Sequence, residues 1–186
     1  PSTTEKKTAW NKDSTKKWLP VNMYIGGSEH AVLHLLYARF ITMVFYDLGL
    51  LPFEEPFTTF RAHGLIMKDG AKMSKSKGNV VSPDEYIRAY GADAVRMYLA
   101  FLAPLEQGGD FRDTGIKGVT RFLERVWSMG EHGMFLTKNI KNDAVLHMVH
   151  KTIKKVTEDI ENLQYNTAIS SLMVLLRAFE ENPDAV

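Results

Sequence analysis

The stretch that most constrains the fold is residues 19–40, LPVNMYIGGSEHAVLHLLYARF, where a short apolar run ends in two glycines and passes directly into helical periodicity. LPVNMYIGG predicts a strand. From Glu29 to about Leu48 the residues Leu33, Leu36, Tyr37, Phe40, Met43 and Val44 recur at helical spacing, and Gly49 follows as a stop. Strand, Gly-Gly and helix make a βα unit. In open α/β sheets a ligand sits beyond the carboxyl ends of the strands, where loops and helix N-termini converge, so this junction is the first candidate site.

The rest of the chain organises around it. Residues 1–18 are polar and lysine-rich and predict a surface loop. After the proline-marked loop LPFEEPF, FRAHGLIM reads as a second strand and KDG as a turn. In SPDEY, Ser82 is the expected N-cap, Pro83 lies in the first turn and Glu85 is the reciprocal capping partner. That helix should stop near Gly91, with ADAVRMYLAFL forming another that Pro104 closes. Three helices are expected near 115–130, 144–162 and 167–181, the last capped by Asn166 or Thr167. The fold class is therefore α/β followed by all-α, changing at about residue 105, with domains at 1–105 and 106–186.

Composition excludes little but orders the alternatives. A chain of 186 residues with 45% hydrophobic residues can bury a core in one or two compact units. The apolar run AVLHLLYARFITMVFYDLGLLPF is interrupted by His34, Arg39 and Asp47 and is not read as membrane-spanning. With no cysteine there is no disulfide and no thiolate zinc site, which suits a reducing compartment. The first residues lack both an initiator methionine and the apolar centre of a signal peptide, and the expectation is a fragment.

At the βα junction, Gly26 and Gly27 allow close approach to the backbone, and Glu29 in the first helical turn is placed to accept hydrogen bonds from vicinal hydroxyls such as those of a ribose. His30 and His34, four apart, lie near one helix face. The alternative is that Glu29 complements the helix dipole and one histidine is a satisfied core residue. Metal binding is rejected as first choice, because no third ligand is evident and zinc-protease spacing puts the glutamate between the histidines. The second concentration of chemistry is AKMSKSKGN, residues 71–79, where Lys68, Lys72, Lys75 and Lys77 face only Asp69. Flexible ammonium groups on a loop flanked by Gly70 and Gly78 suit a triphosphate whose charge moves toward its leaving oxygens during reaction, and Ser74 and Ser76 alternate with them. A solvated surface loop is the plainer alternative.

The ordered pentapeptide KMSKS, Lys72 to Ser76, resembles the signature loop of class I aminoacyl-tRNA synthetases, and GADAVRMYLAF is similar to the same class. WLPV, YIGGSEHAVLHLLYARF, GVTRFLERVW and HKTIKKVTEDIENLQYNTAISSLM resemble the leucyl-tRNA synthetase family, a likeness covering nearly everything after residue 18. It implies the second half of a Rossmann-like catalytic domain followed by the start of the helical anticodon-binding domain, working in the cytoplasm. It further implies that Glu29 contacts the ATP ribose, that Gly26 and Gly27 lie close to the nucleotide, and that His30 borders the same pocket. His34 would shape the leucine pocket, and backbone groups around Ile66 and Met67 would pair with adenine. Lys72 and Lys75 would hold the phosphates, with Met73, Ser74 and Ser76 in the same ATP and adenylate site and Mg²⁺ as counterion. Leucine would attack the α-phosphate, expelling pyrophosphate, and pass to the 2′-hydroxyl of the terminal adenosine of tRNA-Leu.

Departures from the family pattern bound this reading. The His-Ile-Gly-His signature is not among these residues, nor is an editing domain, so the fragment alone is expected neither to activate nor to proofread leucine efficiently without the remainder of the catalytic domain, in cis or as a separate subunit. Ser28 stands where a more apolar residue is expected. LIMKDGAKMSKS runs directly from strand to signature, as in forms without an inserted domain. Arg121 and Arg125, beside Phe122 and Trp127, suggest a basic ridge for tRNA phosphates; a solvated face balanced by Glu124 is the alternative. Lys151, Lys154 and Lys155 read as solvent-exposed, and Asp93 and Arg96 as structural. The competing functional class is a non-catalytic tRNA-binding piece or split subunit.

Overall fold

The computed structural model describes residues 9–131 and 140–183; residues 1–8 of the expected surface loop lie outside the described residues. The chain divides into two compact units, residues 1–64 and 65–186.

In the first unit the strand expected before the glycines is β1, Tyr24–Gly27, and it pairs in parallel with β2, Phe60–His63, in the register Tyr24↔Phe60 through Gly27↔His63. The polar segment before it is not all loop. It holds α1, Lys12–Trp18, because Asn11 caps the helix by accepting from the Ser14 amide at 2.9 Å, while Asp13 and Lys16 and Lys17 oppose the helix dipole at its two ends. Capping and end charges, rather than an apolar stripe, form this helix.

After β1 the chain makes a tight turn at Ser28–His30, then a wide π turn at Ala31–Leu35, and becomes an α-helix, α2, only at Leu36–Asp47. Gly49 stops it with φ +67°. Arg39 of α2 grips the following loop through a forked pair with Glu55, Nη2 to Oε1 being 2.5 Å. The periodic apolar face does not become core: Leu33, Tyr37 and Phe40 are 64%, 63% and 58% exposed, and along the helix the buried residues are Leu35 and Thr42.

The expected single strand FRAHGLIM is broken at Gly64, and its two halves belong to different sheets. In the second unit β3, Ile66–Lys68, is the centre of a small sheet of order β4-β3-β5. It pairs antiparallel with β4, Ala71–Lys72, and parallel with β5, Gly109–Phe111, a strand whose three residues carry no readable alternation. The KDG turn joins β3 to β4 with Asp69 and Gly70 both at positive φ, 54° and 72°. Two successive left-handed residues are what a two-residue hairpin requires.

The remaining helices are α3, Pro83–Tyr90; α4, Ala92–Phe101; α5, Gly115–Glu131; α6, Asp143–Glu161; and α7, Tyr165–Glu181. Ser82 has the extended N-cap backbone expected of it but makes no capping side-chain bond, so the reciprocal box with Glu85 does not form. The last helix starts one residue ahead of Asn166, and Gln164 occupies the N-cap without a side-chain bond. Thr167 instead turns its hydroxyl back onto the Gln164 carbonyl at 3.1 Å.

The core of this unit runs from α4 through β5 into α5, with Ala94, Val95, Tyr98, Phe111, Ile116 and Val119 buried together. Tyr98 anchors it by donating to the Arg112 carbonyl and accepting from the Arg112 amide, each at 2.9 Å. Phe122 and Met129 of α5 then pack with Leu176 of α7, and Met97 touches both clusters. The change in composition at about residue 105 thus lies inside one packed body, because the same α4 face that closes over the sheet also receives α5.

Candidate functional site

Two clusters carry chemistry, one in each unit. In the first, β1 delivers Gly26 and Gly27, both buried, to the start of the turn that carries Glu29 and His30. A Cβ on Gly27 would lie 2.1 Å from Glu29 Oε2, so the Glu29 carboxylate folds back over the glycine. A Cβ on Gly26 would meet the Tyr24 ring at 2.9 Å and His30 Cδ2 at 3.6 Å. The glycines therefore make room for the side chains of their own strand and turn.

His30 and His34 face each other edge to face with ring centroids 6.3 Å apart. The π turn between them keeps a four-residue separation on one side of the helix. His34 also lies 5.4 Å from the Tyr24 ring and 6.3 Å from that of Phe57, and Tyr24 and Phe57 are 4.7 Å apart. The expected leucine-pocket residue thus forms part of an aromatic wall, of which Tyr24 and Phe57 were not foreseen. Tyr24 opens the YIGGSEHAVLHLLYARF block but carries no pattern of its own, and Phe57 lies outside it, brought alongside by the parallel bridge of Val21 with Phe57.

In the second unit the lysine loop rises from the β3–β4 hairpin. Ile66 and Met67 lie in β3, where Met67 is flanked by Lys72 on one side and Asp110 on the other, whereas Ile66 has a ladder partner only in Gly109. On the β4 side the strand edge is open at Ile66. Met73 turns inward and packs on the core, beside an apolar cavity of about 210 Å³ lined by Ile66, Val81, Tyr86, Leu99 and Phe111. Ser74 follows in extended conformation, and Lys75–Lys77 form one short turn that ends on Gly78 with φ +67°.

Lys72, Lys75 and Lys77 are exposed. The ion pairs of this unit engage Lys68, Arg112, Arg125, Lys154, Lys155 and Arg177, and among the described residues none involves the three loop lysines. Clustered positive charge without a carboxylate partner favours the approach of anions. Ser74 and Ser76 share a hydroxyl hydrogen bond of 2.8 Å.

The base of the loop is braced by residues that spacing did not reveal. Lys68 Nζ donates to Asp113 Oδ1 at 3.0 Å, and the Tyr86 hydroxyl donates to the same oxygen at 2.5 Å. The Gly70 amide of the hairpin turn donates to Asp110 Oδ1 at 3.0 Å. The Tyr86 and Lys68 bonds hold the Asp113 carboxyl below the ordinary range, and the Gly70 amide does the same for Asp110. Lys68, one of the four clustered lysines, is thereby occupied in holding the sheet.

The two arginines of α5 do not form a ridge of equal members. Arg125 is held in a forked pair by Glu180 of α7, its Nε lying 2.7 Å from Oε1, while Arg121 is exposed and reaches only the Lys117 carbonyl at 3.4 Å. The balancing carboxylate is Glu180 rather than the neighbouring Glu124. Phe122 is buried and Trp127 is 72% exposed, so the two aromatic residues beside the arginines serve different sides of the helix. Asp93 and Arg96 are exposed on α4, and Lys155 is tied at 2.5 Å to Asp159, a carboxylate buried in the α6–α7 pair.

Among the described residues no group of three histidine or acidic side chains converges as a metal site, and no helix is long and apolar enough to cross a membrane. A family model of the tRNA synthetases of class I (I, L, M and V) matches residues 2–111. The leucine-tRNA ligase of Thermotoga petrophila is 50% identical over 185 residues, covering 94% of this chain and 22% of that protein. That of Thermosipho melanesiensis is 53% identical over 169 residues, covering 85% and 20%. The chain spans about a fifth of the length of the curated relatives it matches. The crystal structure of the ternary complex of Agrobacterium radiobacter K84 agnB2 LeuRS, tRNA and LeuAMS is similar with a TM-score of 0.85 at 33% identity, covering 93% of this chain and 24% of that one.

Proposed function

The chain belongs to the class I tRNA synthetases (I, L, M and V), and from that premise we propose that it is the segment of a leucine-tRNA ligase that carries the signature loop and half of the aminoacyl-adenylate site. The reaction is ATP-dependent formation of leucyl-adenylate and transfer of the leucyl group to the terminal adenosine of tRNA-Leu, and the cytoplasm is where it serves translation. Residues 1–105 act as the C-terminal half of the nucleotide-binding domain, and residues 106–186 as the stem contact and the start of the anticodon-binding domain.

The observation that carries this reading is the loop of three exposed lysines, without ion pairs among the described residues, set on a hairpin whose base is fixed by Asp110 and Asp113. Lys72 and Lys75 hold the phosphates. As the α-phosphate is attacked, negative charge builds on the departing pyrophosphate, and ammonium groups that reach it then stabilise the transition state more than resting ATP. Met73 seats the loop on the core, Ser74 and Ser76 shape its turn, and the open edge at Ile66, with Met67 next to it, offers backbone groups to adenine. Gly26, Gly27, Glu29 and His30 receive the ribose side of the nucleotide, and His34, backed by Tyr24 and Phe57, presents an apolar edge to the leucine side chain. Mg²⁺ would accompany the triphosphate as its counterion and would offset part of the charge that Lys72 and Lys75 meet.

The exposed apolar face formed by Val32 and Leu33 of the π turn and Leu36, Tyr37 and Phe40 of α2 receives the remainder of the catalytic domain. Relatives about four times longer supply the polypeptide to cover it, and a patch of this size is an interaction surface rather than a finished exterior. Arg121 faces tRNA phosphates directly, and Arg125 is the second candidate contact, its guanidinium shared with Glu180.

Calorimetric titration with a non-hydrolysable leucyl-adenylate analogue tests the assignment, first on this chain and then on the full-length ligase. Binding that weakens when Glu29 is changed to alanine supports it. A full-length ligase whose affinity for the analogue is unmoved by Glu29→Ala, and whose adenylate formation is unmoved by Lys75→Ala, would sink it.

A further inference from the structure

The lysine loop is closed on itself by one side chain that no step of the reaction uses. Asn79 stands just past the left-handed Gly78 and is partly buried. Its Oδ1 accepts from the Ser74 amide at 2.8 Å, and its Nδ2 donates to the Lys72 carbonyl at 3.2 Å. The orientation of the amide follows from its partners, since an amide N–H can only donate and a carbonyl only accept; the flipped amide would set donor against donor and acceptor against acceptor. One side chain thus spans the mouth of the loop and fixes the backbone on both sides of Met73.

Other contacts make this bridge consequential. On the entry side Met73 packs on the core, and on the exit side Val81 does the same. Between these anchors the backbone is held by the Lys77 amide on the Ser74 carbonyl at 3.1 Å and the Gly78 amide on the Lys75 carbonyl at 3.2 Å, both within the short turn itself. Among the described residues, Asn79 is the side chain whose hydrogen bonds tie that turn back to β4. Lys72 and Lys75 therefore stand on a segment whose two ends are cross-linked by a single amide group.

We propose that Asn79 is a positioning residue of the adenylate site: it clasps the signature loop so that Lys72 and Lys75 are presented together as one preorganised cationic unit. This inference rests on the adenylate-forming reading of the loop given above. Loss of the clasp leaves the lysines in place chemically but spreads them over many loop conformers, and the cost falls on the step that needs both ammonium groups at once. Binding of resting ATP, which other contacts support, is little affected.

The test uses the full-length ligase containing this segment, with Asn79→Ala, Asn79→Asp and Lys75→Ala compared with the parent. Two measurements are taken: leucine-dependent ATP–pyrophosphate exchange, resolved into kcat and KM for ATP, and the rate of trypsin cleavage after Lys72, Lys75 and Lys77 followed by mass spectrometry. For Asn79→Ala, with two hydrogen bonds gone, the expected result is cleavage about tenfold faster and kcat about tenfold lower at unchanged KM and unchanged melting temperature. Asn79→Asp keeps the acceptor for Ser74 but sets a carboxylate oxygen against the Lys72 carbonyl, and is expected to fall between the two. It also serves as the measured variant should the alanine change lower the melting temperature. Parent-like cleavage or parent-like kcat in a folded Asn79 variant overturns the clasp. If Lys75→Ala loses exchange while Asn79→Ala does not, the clasp alone fails; if Lys75→Ala keeps full exchange, the adenylate-forming reading fails with it.

Discussion

The hydroxyl of Tyr86 donates to Asp113 Oδ1 across 2.5 Å, joining α3 to the loop that follows β5. The bond keeps the phenol protonated, chiefly through that hydrogen bond and then through desolvation and the nearby carboxylate charge, and pushes its pKa up to about 12. A group whose folded pKa is raised contributes stability that is complete below its unfolded value and is lost as pH rises through the folded value. For Tyr86 the window therefore runs from the ordinary 10.0 to about 12. Ultraviolet titration of the folded chain should show a late phenol ionisation at about pH 12, and Tyr86→Phe should delete that step. A late step that survives in the variant would assign it elsewhere.

Two glycines with similarly crowded Cβ positions should respond in opposite ways. At Gly27 the obstacle is the end of the flexible Glu29 side chain, 2.1 Å away. At Gly108, which also has φ +67°, the obstacle at 2.1 Å is the backbone oxygen of Leu65, beside the β3–β5 pairing. Gly108→Ala should therefore cost more than the ~1–3 kcal/mol of left-handed strain alone, because the backbone of Leu65 must also shift. Gly27→Ala should leave the midpoint of chemical denaturation nearly unchanged while moving the Glu29 carboxylate, and so weaken adenylate-analogue binding. Equal losses of stability at the two positions would contradict this.

What was legible in the sequence divides along the range of the interactions. β1, the Gly-Gly junction, the KDG turn and the three long helices depend on neighbours within a turn or two, and the chain declares them. α1 was missed because its signal is a cap and end charges without an apolar stripe. β5 was missed because three residues, Gly109 to Phe111, become a strand only through pairing with β3, more than forty positions earlier. The same holds for the site. Glu29, His30 and the loop lysines are named by local pattern, whereas the Asp113 brace and the Tyr24–Phe57 wall are tertiary. Asn79 lay in between: an asparagine directly after a left-handed glycine is a recognised candidate for local backbone bonding, and that signal could have found it.

The buried face of α5 and the exposed face of α2 should separate stability from association. Ile116 is fully buried between α4 and β5, so Ile116→Ala should lower unfolding stability by about 2–5 kcal/mol, through lost transfer energy and the cavity left behind. Phe40 on α2 is 58% exposed, and Phe40→Ser should leave the denaturation midpoint of this chain almost unmoved. In the full-length ligase the same serine should become destabilising, the proposal being that the remainder of the catalytic domain covers that face. A Phe40→Ser variant that is as well tolerated there as in the isolated chain would show the α2 face to be an ordinary surface.

The Arg125–Glu180 pair makes a distinction on α5 that sequence could not. Arg125 Nε and Glu180 Oε1 are 2.7 Å apart, and each partner raises or lowers the other's pKa in the direction that keeps both ionised. The pair is half exposed, so its contribution to stability is modest and screened by salt. Each cation that neutralises a tRNA phosphate adds about 0.7–0.9 to the slope of log affinity against log salt. Arg121→Ala should therefore lower that slope by about one such unit in the full-length ligase, with little change in melting temperature. Glu180→Gln should keep or raise tRNA affinity, because it releases Arg125 from its carboxylate without removing the cation. Arg125→Ala should lower the slope and also weaken the α5–α7 contact. If Arg121→Ala leaves the slope where it was and only Arg125→Ala reduces affinity, in step with its melting temperature, then α5 supports the tRNA-binding surface by packing and contributes no phosphate contact of its own.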